Sequence, residues 1–122
     1  MQNEYISFFF LEGQIEHKRK LAQIIRAVRG LFGYSQEEMA KIAGSSRPTL
    51  SKLERMEEIE KIRHETFEKF LRAFADMGVI VRYYDDGGVQ VEMTPQALDI
   101  AVQNSLDAWA AKEKKAADKK KK

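Results

Sequence analysis

Arg47, Pro48, Ser51 and Lys52 are the side chains of this chain best equipped for recognition chemistry. At helical spacing they fall on one face, opposite Leu50 and Leu53. A guanidinium carries a fork of donors that matches guanine O6 and N7. A hydroxyl can donate or accept, and a proline ring can touch a thymine methyl. Lys52 lies about one and a half turns beyond Arg47 and reaches a base edge or a phosphate. Gln36, Ser46, Thr49 and Arg55 surround this group and are candidates for phosphate contacts. Gln36 opens a helix, where the positive end of the helix dipole and free backbone N–H groups favour an anion. Such contacts supply affinity and register but little sequence information.

Little else in the chain is suited to catalysis. It has no cysteine, so disulfides and thiolate metal sites are excluded. His17 and His64 are far apart in sequence and lack the spacing of metal ligands. Asp85 and Asp86 precede Gly87-Gly88, and the pair reads as turn chemistry rather than an acid/base couple. We find no paired nucleophile and base, no glycine-rich phosphate loop and no metal cluster, so the expectation is a non-enzyme with neither cofactor nor metal.

The elements that must position the recognition face are two short helices, at about residues 36–43 and 47–55. Met39, Ala40 and Ala43 point inward from the first, and Leu50 and Leu53 from the second. Gly44 sits just past the end of the first helix, where a left-handed residue is needed. Ser46 caps the second, and Pro48 is tolerated in its first turn because its missing N–H has no intrahelical partner there.

Around this pair, residues 17–32 read as a helix with Leu21, Ile24, Ile25, Val28, Leu31 and Phe32 inward, ended by Gly33. A charged loop from Met56 to Arg63, anchored by Ile59 and Ile62, leads to a helix at about 64–77 with Phe67, Phe70, Leu71 and Phe74 on one face, stopped by Gly78. Val79–Tyr84 and Val89–Met93 are β-rich runs flanking Asp85-Asp86-Gly87-Gly88, which predicts a hairpin with both turn residues at positive φ. Thr94-Pro95 opens a last helix, with Leu98, Ala101, Val102, Ser105 and Trp109 along one face, dissolving near residue 112. Tyr5–Leu11 is either a strand or the start of a helix capped by Asn3, interrupted by Gly13; Phe8, Phe9 and Phe10 are too apolar to sit in water and pack on the body or on a second subunit.

The total charge of +2 conceals segregation. Residues 17–55 hold nine lysines and arginines against three glutamates, and residues 112–122 hold seven lysines against Glu113 and Asp118. The coincidence of the first cluster with the two-helix motif points to a polyanion as partner. No apolar run reaches the roughly 20 residues of a membrane span, and no positive residue precedes the aromatic N-terminal stretch. A soluble cytoplasmic protein without a membrane partner is expected.

Residues 17–78 resemble the Cro/C1 (Xre-type) helix-turn-helix family of phage and bacterial transcriptional regulators. The resemblance is carried by Ser35-Gln36-Glu37-Glu38-Met39-Ala40, by Gly44, and by Ser46-Arg47-Pro48-Thr49-Leu50-Ser51-Lys52-Leu53-Glu54-Arg55. It implies a mainly α fold, a lambda-repressor-like helix-turn-helix bundle, here followed by a β-hairpin and a C-terminal helix. It also implies a structural ion pair between Arg29 and Glu54, which occupy the places of an arginine late in the first helix and a glutamate ending the recognition helix. Met56 stands where the family often has glycine, and the chain enters a hairpin where the family often has another helix.

The expected organisation is an aromatic segment at 1–16 as a dimer contact, the DNA-binding domain at 17–78, a dimerising hairpin and helix at 79–111, and a basic, disordered tail at 112–122. The function expected is a dimeric repressor that reads a palindromic operator in double-stranded DNA through the major groove. The alternative is an antitoxin that regulates its own operon and binds a toxin protein; an anti-repressor is a further possible protein partner.

Overall fold

The computed structural model describes the backbone of residues 3–120 and the side chains of residues 14–120. Its elements run α1 (Asn3–Phe32), α2 (Gln36–Ala43), α3 (Arg47–Glu54), a 3-10 turn (Ile59–Lys61), α4 (His64–Asp76), β1 (Val79–Tyr83), β2 (Val89–Met93) and α5 (Pro95–Lys120). The core lies where α1, α2, α3 and α4 meet. Leu21, Ile25, Val28 and Phe32 of α1 are fully buried with Met39, Leu50, Leu53, Phe67, Phe70 and Phe74. The Phe32 and Phe74 rings stack at 6.3 Å, and the Tyr34 ring stacks with Phe32 at 5.7 Å.

Several expectations need correction. The N-terminal stretch is helix, continuous from Asn3 to Phe32, and Gly13 does not interrupt it. A glycine inside a long helix weakens it by about 1 kcal/mol without forcing a break. The packing expected of Phe8, Phe9 and Phe10 lies outside the described side chains. Leu31, placed inward by periodicity, is half exposed, because α1 turns its Val28–Phe32 ridge to the core and leaves Leu31 beside it. The expected loop at 56–63 contains the 3-10 turn, with Ile59 buried.

The hairpin pairs Val79 with Met93 and Tyr83 with Val89. Its loop is not a two-residue turn with two left-handed residues. Tyr84 N–H donates to the Gly88 carbonyl and Gly87 N–H to the Tyr84 carbonyl, which makes a three-residue loop with one left-handed residue, Gly87 at φ +90°. Val79 is buried, and Val81, Val89, Val91 and Met93 are half-buried against the core; the other face carries Ile80, Arg82 and Gln90. Gly78, at φ +94°, lets α4 pass directly into β1: a Cβ there would collide with the Thr94 hydroxyl and crowd the Ala97 backbone nitrogen. The Thr94 hydroxyl donates to the Gly78 carbonyl at 2.5 Å and ties the start of α5 to the end of α4.

The last helix differs most from expectation. It does not end near residue 112 but continues to Lys120. It also packs by another face. Ala97 is its buried residue, with Ile100, Ala101 and Asn104 partly covered, while Leu98, Val102 and Trp109 are exposed.

Candidate nucleic-acid interface

The α2–α3 pair is set by local sequence chemistry at each end. Ser35 Oγ accepts from the Glu38 N–H at 3.1 Å and Glu38 Oε1 accepts from the Ser35 N–H at 2.9 Å, a reciprocal cap that starts α2. Hydrogen bonding of the Glu38 carboxyl by the Ser35 backbone N–H, and secondarily by the Ser35 side chain, holds it below its ordinary pKa. Gly44 closes α2 at φ +71°, and the Ser45 N–H returns to the Ala40 carbonyl. The Thr49 N–H donates to Ser46 Oγ at 3.3 Å, so Ser46 is the N-cap of α3. The same oxygen lies 2.8 Å from the Thr49 hydroxyl.

The far end of α3 is closed by an unusual residue. Glu57 N–H donates to the Lys52 carbonyl and Met56 N–H to the Leu53 carbonyl, the pattern that needs a left-handed residue past the helix end. Met56 fills that place at φ +56°. A side chain in this region is strained where glycine would not be.

The hold on α3 comes from one hydrogen-bonded cluster. Arg29 Nε donates to Glu54 Oε2 at 2.6 Å and Nη2 to Oε1 at 2.8 Å. Arg29 Nη1 also donates to the Tyr34 carbonyl at 2.9 Å, so one guanidinium joins the α1–α2 turn to the end of α3. Gln36 Nε2 adds a third donor to Glu54 Oε1 at 3.1 Å. The Glu54 side chain is only 5% exposed. Burial raises its pKa, but the hydrogen bonds from Arg29 and Gln36 and the charges of Arg29 and Arg26 outweigh that, and the carboxyl is held below its usual range. The same hydrogen bond to Glu54 raises the pKa of Arg29.

With α3 fixed in this way, Arg47, Pro48 and Lys52 are exposed and Thr49 and Ser51 half-buried. Arg47 and Lys52 make no ion pair among the described residues, which leaves both cations available. Ser51 Oγ accepts from Arg55 Nη1 at 2.8 Å, and Arg55 Nη2 donates to Glu57 at 2.8 Å, so these two residues hold each other in the unbound protein. The Gln36 side chain is turned toward Glu54, which leaves the backbone N–H at the start of α2 as the group it presents outward. Sequence reasoning missed this third arm of the cluster. The signal was present in a glutamine at the first position of α2, but nothing in the linear sequence says that α2 begins beside the end of α3.

The fold also brings together what the sequence kept apart. His17 and His64 stack with ring centroids 6.4 Å apart, although 46 residues separate them. Among the described residues no group of three or more histidines and carboxylates is placed to hold a metal ion. No helix among them is long and apolar enough to cross a membrane.

Residues 25–75 match a family model described as helix-turn-helix. The match runs from the last two turns of α1 to the last turn of α4 and leaves the hairpin and α5 outside it. No curated protein and no solved structure matches the chain. Two capped helices with a polar, basic outer face, locked to α1 through the Arg29–Glu54 pair and covered by that match, make residues 25–75 a helix-turn-helix segment similar to that of the Cro/C1-type DNA-binding regulators.

Proposed function

We propose that this protein is a sequence-specific transcriptional regulator that reads double-stranded DNA by placing α3 in the major groove, and that it works as a dimeric repressor on a palindromic operator. The single observation that carries this reading is the exposed, unpaired Arg47 and Lys52 on a helix whose orientation is fixed by Glu54. A B-DNA major groove admits one α-helix, and an arginine in it makes the commonest specific contact, two hydrogen bonds to guanine. On this reading Arg47, Pro48, Ser51 and Lys52 face the bases. Gln36, Ser46, Thr49 and Arg55 face phosphates. Ser51 exchanges its Arg55 bond for a base, which frees Arg55 for the backbone.

One such domain covers a single half-site. Two copies spaced by about one helical turn of DNA, or a multiple of it, are what similar proteins use, and the hairpin and α5 lie outside the recognition domain as material for that pairing. An antitoxin has the same DNA-binding half and would use the apolar face of α5 for its toxin; that face is exposed here at Leu98, Val102, Leu106 and Trp109.

Selection of bound sites from a random DNA pool supplies the operator. Arg47→Ala is then expected to lose roughly 1–3 kcal/mol of affinity for that site and far less for random DNA. Equal losses on both DNAs would remove the base-reading role.

A further inference from the structure

Among the described residues the apolar face of α5 has no partner within the chain. Leu98 is 50% exposed, Val102 56%, Leu106 56% and Trp109 64%. They recur at intervals of four, four and three residues and form one stripe. The opposite side of the helix meets the body through Ala97, Ile100 and Ala101, and Asn104 Nδ2 donates to the Phe32 carbonyl at 2.9 Å. Beyond Ala108 every described residue of α5 is exposed. Among the described residues no ion pair braces this end. A helix of about 12 residues standing alone in water is marginal, so this end needs a surface to lie against.

We infer that the occupant is α5 of a second copy, packed antiparallel. This rests on the dimeric reading above and specifies its interface. The stripe exposes on the order of 400 Å² per copy, the scale of an interaction patch rather than of scattered surface residues. Two such faces with the lysine stems beside them approach about 1,000 Å², the lower bound for a specific interface.

Charge decides the direction. Residues 112–122 carry seven lysines against two acids, whereas the part of α5 before them, residues 95–111, carries Asp99 and Asp107 and no lysine or arginine. A parallel pair would lay the two lysine-rich ends side by side. An antiparallel pair separates them and lays each along the first turns of the other copy's α5, which carry Asp99 and no lysine or arginine. Centred between Ser105 and Leu106, it sets Val102 of each copy against Trp109 of the second copy and Leu98 against position 113.

The pairing is read without DNA, so its failure and the failure of DNA recognition are separate results. The chain has one tryptophan and no cysteine, which makes both probes clean. Sedimentation at micromolar concentration is expected to give twice the 14.1 kDa chain mass, with Trp109 emission shifting to the blue as the chain is concentrated. Val102→Glu and Trp109→Glu are expected to give monomers with unchanged circular dichroism. A monomeric wild type, or a dimer that survives both substitutions, overturns the proposal. For direction, Leu98→Cys chains mixed with Glu113→Cys chains are expected to form the mixed disulfide faster than either forms its own. Faster self-linking of Leu98→Cys would mean a parallel pair and overturn the assigned geometry. This arm holds even if a glutamate substitution prevents folding.

Discussion

α4 and α5 both carry apolar residues at helical spacing and meet opposite fates. In the 13 residues of α4, Phe67, Phe70, Ala73 and Phe74 are buried. In the 26 residues of α5, Ala97 is buried and four large apolar side chains stand half in water. The pattern marks a face that wants cover, and the neighbours decide whether the chain supplies it. α4 lies against α1, α2 and β1; α5 meets α1 and β2 near its start and then leaves the body. The first helix is therefore part of the core that holds α3, and the second leaves an apolar stripe in water.

Substitutions sharpen this contrast. Phe70→Ala should cost the most, about 3–5 kcal/mol, since a fully buried ring leaves a cavity among packed neighbours; urea unfolding measures it, and a loss under 1 kcal/mol would mean that α4 is not the core helix described. Glu54→Ala should cost roughly 2–4 kcal/mol, because it leaves Arg29 and Gln36 facing a void. Its signature is acid dependence. Glu54 has a pKa below its unfolded value, so its stabilisation is complete above about pH 4.3 and is lost as the pH falls through the lower, folded pKa. Thermal melts from neutral to acid pH should show the wild type losing more stability over that range than Glu54→Ala, and parallel curves would dismiss the ion pair as a stabiliser.

Two smaller effects test the ends of the comparison. Met56→Gly and Met56→Ala both remove a half-buried side chain, but only glycine relieves the left-handed backbone. The glycine variant should be the more stable of the two by about 1 kcal/mol, and the reverse order would place no strain at the end of α3. Trp109→Ala should change stability by less than about 0.5 kcal/mol when melted at dilutions where the chain is monomeric. A large loss there would show that α5 does belong to the monomer core.

Much of the recognition domain was legible in the linear sequence because its signals are local. A serine cap three residues before its partner, a glycine past a helix end and leucines three apart act over one or two turns, and the structure contains each of them. The hairpin strands were legible too, through alternation, while their loop was not: dipeptide preference does not distinguish a two-residue turn from a three-residue one when Asp85-Asp86-Gly87-Gly88 satisfies both.

By itself, the sequence determined the helix pair, its caps, the basic outer face of α3 and the concentration of positive charge around it, since these depend on residues close together in the chain. Tertiary structure decided the rest. It placed Gln36 on Glu54, brought His17 to His64 and exposed Leu31. It also turned the Ala97–Asn104 side of α5 to the body and left the Leu98–Trp109 stripe in water. Both sides of α5 show helical spacing with apolar residues, and small alanines on one of them allow closer approach to α1. Periodicity cannot choose between two such faces; the space available beside α1 and β2 does.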